Sequence, residues 1–188
     1  MPGARIAGGD RVTLRTVERE DVEFLQRASA DPELRYPLGN PVRNREEFDV
    51  PDEDAGADRF LVCLEADDTD PGPPDADEVT PVGQVSVADA DYKRPELGYW
   101  LVPEVHGEGY GTEAVSLVLD YVFREYDVPA VGAAAFDFND ASRGLLESLG
   151  FAEEGRMRAY MFVDGEHRDM VQYGLLREEW RSRDPDRA

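Results

Sequence analysis

The segment from Glu96 to Phe123 constrains the fold most, because a strand pattern changes to a helix pattern across a glycine-rich turn. It reads ELGYWLVPEVHGEGYGTEAVSLVLDYVF, and it predicts a strand over Leu97–Val102 that ends before Pro103. Apolar residues at helical spacing then predict a helix from about Gly109 to Tyr126. A strand, turn and helix in this order direct backbone N–H groups and the positive end of the helix dipole at one point, where phosphate can bind.

The glycines of this turn favour a phosphate site. A side chain at Gly109 or Gly111 would occupy the space that a pyrophosphate needs, whereas glycine allows close approach of the backbone. Three glycines alone are equally well explained by a tight turn before a helix. Two familiar phosphate loops are excluded, because the segment lacks Gly-Lys-Ser/Thr and is not the first strand–helix unit of a nucleotide-binding sheet.

The rest of the chain predicts a mixed α/β sheet with interleaved helices, in one domain over residues 1–188. Further strands are predicted over Arg11–Val17, Phe60–Glu65, Val82–Ala88, Ala130–Phe136, about Glu153–Phe162 and about His167–Leu176. Further helices are predicted at about Glu20–Ala30 and Ala141–Leu149, with Gly150 as a left-handed stop. Four prolines in residues 31–58 favour a loop with one short helix near Arg45–Phe48, and the acidic, proline-rich residues 65–81 favour a mobile hairpin connection.

The charge balance is extreme, with 42 acidic residues against 20 basic ones and a net charge of −22. Nucleic-acid binding is disfavoured, because phosphate attracts the opposite balance. The acids are spread along the whole chain, so we interpret them as adaptation to the salt-rich cytoplasm of an extreme halophile, where screening makes the repulsion tolerable. A surface that attracts a cationic partner is the alternative.

No apolar run approaches the roughly 20 residues that cross a bilayer, so we expect a cytoplasmic protein without membrane partners.

Cysteine and histidine exclude two kinds of site. Cys63 is the only cysteine, so no intrachain disulfide can form, and its place in the run FLVCL predicts a core residue. His106 and His167 are far apart without metal-ligand spacing, so we expect no metal.

Several segments carry a resemblance to one family. The run from His106 to Gly111 resembles the GNAT acetyltransferase pattern Arg/Gln-x-x-Gly-x-Gly/Ala, whose amides hold the coenzyme A pyrophosphate. GYW, GYGTEA and FNDASRGLLESLGF resemble the branch that includes ribosomal-protein alanine and serine N-acetyltransferases, and the likeness runs from LRTVEREDVEFL to DMVQYGLLREEW. The resemblance implies a mostly antiparallel sheet of six to seven strands, splayed between two central strands and flanked by about four helices.

The same resemblance implies acetyl-CoA as cosubstrate and assigns residues to it. The residues implied to bind the coenzyme are Leu101, Val102, His106, Gly107, Glu108, Gly109, Tyr110, Gly111, Thr112, Asn139 and Ser142. Asn139 or Asp140 could instead serve only as a helix cap. Two departures from the family pattern should weaken coenzyme binding at low salt: His106 replaces arginine or glutamine, and Glu108 adds a carboxylate.

The catalytic and acceptor residues also come from the resemblance. Glu96 would accept the proton of the amine, often through water, although an exposed strand-end carboxylate is the alternative. Ser142 would lie near the thiol. The tyrosine acid common in the superfamily has no counterpart between Ser142 and Phe151, so Ser142, water or unaided departure must serve, with the strand residue Tyr160 as a weaker substitute. Acceptor binding is implied for Tyr36, Leu38 and Phe48.

The sequence therefore predicts transfer of acetyl from acetyl-CoA to a primary amine, such as the N-terminal amine of a ribosomal protein or peptide. A ternary complex is expected, because no nucleophile with a paired base is apparent. Two alternatives stay open: a small amine as acceptor, and an acyl-CoA-binding sensor without turnover. The sequence leaves open whether the protein is a monomer or a homodimer.

Overall fold

The structure is a computed structural model that describes residues 2–41, 57–65, 79–90 and 93–183. Its strands are β1 (Arg5–Gly8), β2 (Thr13–Thr16), β3 (Ala57–Glu65), β4 (Val79–Ala88), β5 (Glu96–Leu101), β6 (Ala130–Phe136), β7 (Ala152–Val163) and β8 (Glu166–Leu176). Its α-helices are α1 (Val22–Ala30), α2 (Pro32–Leu38), α3 (Tyr110–Glu125), α4 (Asp140–Ser148) and α5 (Arg177–Arg183). Short 3-10 helices cover Arg19–Asp21 and Pro103–Val105.

The strands form one sheet in the order β1-β2-β3-β4-β5-β6-β8-β7. All neighbouring strands are antiparallel except β5 and β6, which are parallel. The prediction of a mixed, mostly antiparallel sheet is confirmed. The described residues contain eight strands rather than six or seven, because β1 is only four residues long and gave no recognisable alternation in the sequence.

Helix α2 corrects the expectation of a loop after Asp31. The side chain of Asp31 accepts a hydrogen bond from the Glu33 N–H at 2.9 Å, and Pro32 occupies the first turn, where its missing N–H costs nothing. The helix ends at Gly39, which has a left-handed φ of 66°. Pro32 therefore begins a helix instead of breaking one. The short helix predicted near Arg45–Phe48 and most of the acidic segment 65–81 lie outside the described residues.

The core lies mainly between the sheet and α3. Helix α3 buries Val115, Leu119 and Val122 completely against β-sheet residues such as Val131. Helix α5, which the sequence did not predict, packs on this layer through Trp180, whose indole N–H donates to Asp120 at 2.8 Å. No helix in the described part of the chain is both long and apolar enough to cross a bilayer.

The opposite face of the sheet is covered by α1. A smaller core cluster there joins Leu25 of α1 to Leu61 and Cys63 of β3. Cys63 is fully buried, so its prediction as a core residue is confirmed. Desolvation by burial raises the pKa of its thiol to about 12, which leaves it protonated at neutral pH.

The centre of the sheet opens between the two parallel strands. On one side β5 pairs with β4 over its full length, from Glu96 to Leu101. On the other side it pairs with β6 only at Glu96 with Gly132 and at Leu97 with Ala133. We call the gap between residues 98–101 of β5 and residues 134–136 of β6 the wedge. Its closed end lies at Leu97 and its open end at Leu101.

Candidate active site

Side chains alternate along β5 and so define two faces of the wedge. Tyr99 contacts Ser142 of α4, so odd-numbered residues of β5 point to the side of the sheet covered by α3 and α4, which we call the α3 face. Trp100 packs in the cluster around α1, with its ring centroid 5.7 Å from that of Phe24. Even-numbered residues, among them Glu96, therefore point to the opposite side, the α1 face.

Backbone groups also alternate along β5. The N–H of Val102 donates to Val82 of β4 at 2.8 Å, and the carbonyl of Pro95 accepts from Gly132 of β6 at 2.8 Å. Even-numbered residues thus direct their peptide groups to β4, and odd-numbered residues direct theirs toward β6. The peptide groups of Tyr99 and Leu101 consequently face the wedge, where β6 does not pair with them. The Val102 N–H, by contrast, is already satisfied by β4.

The glycine-rich loop between β5 and α3 has the backbone of an anion site. Gly107 and Gly109 have φ values of 82° and 84°, in the left-handed region that favours glycine. Gly109 is the N-cap of α3, and no side chain caps the helix there among the described residues. The first N–H groups of α3 and the positive end of its dipole are therefore available to an anion.

Gly111 brings this helix start to the open end of the wedge. A Cβ at Gly111 would lie 3.0 Å from Cδ1 of Leu145 in α4 and 3.6 Å from Cδ1 of Leu101. Helix α3 can approach both elements this closely because Gly111 has no side chain. The loop residues predicted to bind coenzyme, from His106 to Thr112, thus lie beside the end of β5.

His106 fixes the loop to the preceding strand. Its Nε2 lies 2.8 Å from the carbonyl oxygen of Leu101. Because a carbonyl only accepts, Nε2 carries the proton and donates it. His106 therefore binds the backbone of β5 from the position where the family pattern has arginine or glutamine.

Arg11 contacts the glycine-rich loop from another part of the chain, and the sequence did not reveal this contact. It lies in the turn between β1 and β2, about 100 residues before α3. Its Nη1 donates to the carbonyl of Glu108 at 2.8 Å, its Nε donates to Glu113 at 3.0 Å, and its guanidinium lies 4.9 Å from the centre of the Tyr110 ring. Only the tertiary fold brings Arg11 to the loop, so no local sequence pattern could indicate it.

Glu113 in the first turn of α3 holds Arg11 in place. Its carboxylate accepts the backbone N–H groups of Arg11 at 2.7 Å and Val12 at 3.2 Å as well as the guanidinium. Desolvation by burial acts to raise the pKa of Glu113, but these hydrogen bonds outweigh it and lower the pKa below its usual value. The carboxylate is thus charged at neutral pH and joins the first hairpin to α3.

A second hydrogen-bonded pair connects β5 to α4, the helix that follows β6. The hydroxyls of Tyr99 on β5 and Ser142 at the start of α4 lie 2.7 Å apart, and the Tyr99 hydroxyl also lies 3.2 Å from the Ser142 carbonyl. Desolvation by burial raises the pKa of Tyr99 to about 12 despite its hydrogen bond with Ser142, so Tyr99 is a donor at neutral pH. Asn139 caps α4, because its side-chain oxygen accepts the Ser142 N–H at 3.1 Å. The sequence identified Ser142 but not Tyr99.

On the α1 face, small residues form the surface of the sheet beside Glu96. Tyr173 contacts Arg143 and Glu147 of α4, so its register partner Ala133 faces α4 and the next pair, Gly132 and Gly174, faces the α1 side. Glu96 is exposed and is the register partner of Gly132. With Gly98 and Ala134, these glycines form a shallow floor that begins at the Glu96 carboxylate.

An ion pair crosses the closed end of this floor. Nη1 of Arg94, two residues before β5, lies 2.6 Å from the carboxylate of Glu154 on β7. A Cβ at Gly132 would lie 3.1 Å from Nε of Arg94, and one at Gly174 would collide with the Glu154 carboxylate. The two glycines allow the ion pair to lie flat on the sheet.

The predicted acceptor residues Tyr36 and Leu38 lie on α2, at the other end of the floor. A Cβ at Gly39, directly after α2, would lie 2.9 Å from both the Phe136 ring and the Met161 sulfur, so α2 ends beside the open end of the wedge. Tyr36 and Leu38 are half-buried. Phe48 lies outside the described residues.

Within the part of the chain that the structure describes, no group of three or more His, Cys, Asp and Glu side chains is arranged to hold a metal ion.

Comparison with known proteins assigns the chain to one family. The model of the family described as "Acetyltransferase (GNAT) domain" matches residues 11–152. Among curated proteins, a putative ribosomal N-acetyltransferase of Bacillus subtilis is 37% identical over 100 residues, which cover 52% of this chain and 55% of that protein. The ribosomal protein uS5-alanine N-acetyltransferase of Escherichia coli is 31% identical over 108 residues, which cover 57% of this chain and 56% of that one. The chain thus spans about half the length of these two relatives.

Solved structures match over a greater length. A crystal structure of spermidine N-acetyltransferase from Vibrio cholerae, in complex with CoA and spermine, superposes with a TM-score of 0.77. The superposition covers 92% of this chain and 99% of that one at 21% sequence identity. At this identity the likeness concerns the fold alone.

Proposed function

Because this chain belongs to the GNAT family of N-acetyltransferases, we propose that it transfers the acetyl group of acetyl-CoA to the N-terminal amine of a ribosomal protein or another peptide. The observation that carries the proposal is the uncapped start of α3 beside the open end of the wedge. An anion-binding helix start next to unpaired strand edges suits a ligand that has a diphosphate at one end and a peptide-like arm at the other.

The coenzyme is held mainly by backbone groups. Amides of Gly107 to Gly111 bind the pyrophosphate, and the wedge-facing peptide groups of Tyr99 and the N–H of Leu101 bind the pantetheine arm as a strand would. The bound thioester supplies the acetyl group. A backbone N–H of β5 that faces the wedge stabilises the oxyanion that develops on the carbonyl, and it needs no reorganisation to do so.

The amine approaches from the α1 face, where Glu96 accepts its proton. Glu96 lies about 10 Å along β5 from Tyr99, at roughly 3.3 Å per residue, so the proton reaches the carboxylate through water. The Arg94–Glu154 ion pair covers Gly132, so we place this water over Gly98 and Ala134, which bring no long side chain of their own to the floor. Glu96 must be unprotonated to act, and its exposure to solvent allows it to return the proton to bulk water.

The leaving sulfur is on the α3 face, near Ser142. The Tyr99 and Ser142 hydroxyls lie 2.7 Å apart, and either can donate. In the proposed mechanism Tyr99 is the donor, so the Ser142 proton is free to be donated to the thiolate as the C–S bond breaks. A water molecule then returns a proton to Ser142. This pair takes the place of the tyrosine acid that the segment Ser142–Phe151 lacks.

A polyamine is the second candidate acceptor. The net charge of −22 attracts cations, and the structural neighbour from Vibrio cholerae is described in complex with spermine. We favour the peptide because the two relatives over 30% identical that are described above are named for ribosomal-protein acetylation. We further propose that the acidity adapts the protein to high salt, so that activity increases toward molar salt.

The test is a thiol-release assay with acetyl-CoA in 0.1 M and molar salt. The acceptors are peptides with free N-terminal alanine or serine, the same peptides with blocked N-termini, and spermidine. Release that requires a free N-terminus supports the proposal, and release with spermidine alone replaces it with the second candidate. Tight coenzyme binding without release for any amine indicates a sensor and contradicts the proposed activity.

A further inference from the structure

The coenzyme loop has an unfavourable local charge for its proposed ligand. Between Pro103 and Glu113 the sequence has three carboxylates, at Glu104, Glu108 and Glu113, and no lysine or arginine. Coenzyme A carries several negative charges on its phosphates. Binding through amides alone would therefore have to overcome repulsion from these side chains as well as from a protein of net charge −22.

Arg11 supplies a cation at this point. It comes from the turn between β1 and β2, and its side chain is half exposed beside Gly109. Two of its three nitrogens are fixed, because Nε donates to Glu113 and Nη1 donates to the Glu108 carbonyl. The guanidinium carbon lies over the Tyr110 ring, 4.9 Å from its centre. These contacts give the side chain one orientation before any ligand arrives.

The third nitrogen, Nη2, lies beside Gly109 of the loop. A Cβ at Gly109 would lie 3.2 Å from Nη2 of Arg11, so Nη2 borders the space above the helix start. No hydrogen bond from Nη2 is found within the described ranges, whereas Nε and Nη1 both have partners. Its N–H groups therefore lie close to Gly109, the N-cap residue of α3, and can donate charge-assisted hydrogen bonds to an anion bound there.

We propose that Arg11 is a coenzyme-binding residue, whose Nη2 donates to a phosphate oxygen held at the start of α3. The proposal rests on the proposed function, since it takes coenzyme A as the ligand of this loop. In this protein the cation of the phosphate site comes from the first hairpin rather than from the loop itself. Glu113 and the Glu108 carbonyl position it.

The experiment measures the Kd of coenzyme A by calorimetry at several NaCl concentrations. The variants are Arg11→Gln, which removes the charge, and Arg11→Lys, which keeps it. The matched control is Arg124→Gln, an exposed residue in the last turn of the same helix, about 21 Å from the loop at 1.5 Å per residue. Arg124→Gln makes the same change in net charge beyond the Debye length of about 10 Å at 0.1 M salt.

We expect Arg11→Gln to raise the Kd about five- to tenfold at 0.1 M salt, as for the loss of one partly exposed charged hydrogen bond. The ratio of variant to wild-type Kd should fall toward 1 in molar salt, because screening weakens the attraction that only the wild type has. Arg11→Lys should recover part of the affinity, and Arg124→Gln should bind as the wild type does.

Two results overturn the proposal and differ from failure of the proposed function. Equal Kd values for Arg11→Gln and wild type at all salt concentrations would exclude a phosphate contact while coenzyme binding stands. A weakened affinity whose ratio does not change with salt, and which Arg11→Lys does not restore, would show that Arg11 only supports the loop. If the wild type does not bind coenzyme A at any salt concentration, the proposed function fails, and the Arg11 proposal fails with it.

Discussion

The two faces of the wedge are built in different ways. On the α3 face, which we call the coenzyme side, the groups that would contact the ligand lie mostly in one continuous stretch, from Tyr99 to Thr112, and most of them are backbone atoms. On the α1 face, which we call the acceptor side, the surface combines residues of α2, β5, β6 and β8, which are far apart in the chain. A site of backbone groups depends on conformation and tolerates side-chain change, whereas a site of scattered side chains can change its ligand while the fold stays the same.

The largest effect should follow from filling the space over the loop on the coenzyme side. Gly109→Leu places a side chain beside the helix start, in a left-handed conformation with φ of 84°. We expect the Kd of coenzyme A, measured by calorimetry, to rise at least 100-fold. Gly165→Leu is the matched control, because Gly165 has a φ of 82° in the β7–β8 turn and no atom lies within 4 Å of its Cβ position. A Gly109→Leu protein that binds coenzyme normally would refute the backbone phosphate site.

On the acceptor side, Glu96→Gln should lower kcat about 100-fold, the usual scale for removing a general base. The Kd of coenzyme A should not change, because Glu96 lies on the α1 face at the closed end of the wedge. The measurement is the pH profile of kcat/KM, which should lose the limb that depends on a carboxylate. Glu153→Gln, another exposed strand-end carboxylate, is the control. A pH profile identical to that of the wild type would remove Glu96 from the mechanism.

Removal of the Tyr99 or Ser142 hydroxyl should have a smaller effect on kcat. Tyr99→Phe keeps the buried ring and removes its hydrogen bond to Ser142, so we expect kcat to fall about tenfold while the Kd of coenzyme A stays constant. Ser142→Ala should have a similar effect, and the double variant should be no slower than either single one, because the two hydroxyls act as a unit. Burial raises the pKa of Tyr99 to about 12, so the loss should be constant from pH 6 to 9.

Additive losses in the double variant would show that Tyr99 acts independently of Ser142. A fall in kcat that is matched by weaker coenzyme binding would indicate that the pair only supports the packing of α4 against β5. The second result would leave the departing thiolate to water alone.

The sequence predicted the loop before α3 and the start of that helix far better than helix α2 and the contacts between distant residues, and the difference in construction explains why. Local signals identified the loop, the start of α3 and Gly150, whose φ of 90° confirms the left-handed stop after α4. Contacts distant in sequence gave no signal, so Arg11 and the partner of Ser142 were missed. Proline was also misleading: the prolines of residues 31–58 favour a loop, whereas Pro32 lies in the first turn of α2 and Asp31 before it is a normal helix cap.

The smallest effect concerns the carboxylate that joins the coenzyme loop to the first hairpin. Glu113→Gln keeps the shape of the side chain but weakens its three hydrogen bonds to Arg11 and Val12. We expect the free energy of unfolding at pH 7, measured by urea denaturation, to fall by about 1 kcal/mol. Because the pKa of Glu113 is lowered in the folded protein, this stabilisation is present above the ordinary pKa of 4.5 and is lost as the pH falls through the folded pKa.

The difference between wild type and Glu113→Gln should therefore be constant from pH 6 to 8 and should shrink below pH 4.5. Comparison of the two proteins is essential, because a chain with 42 acidic residues loses other carboxylate interactions in the same range. If the difference persisted unchanged at pH 3, the charge of Glu113 would not be what stabilises the hairpin contact. Arg11 would then be held by packing on Tyr110, and its orientation toward the loop would not depend on the first turn of α3.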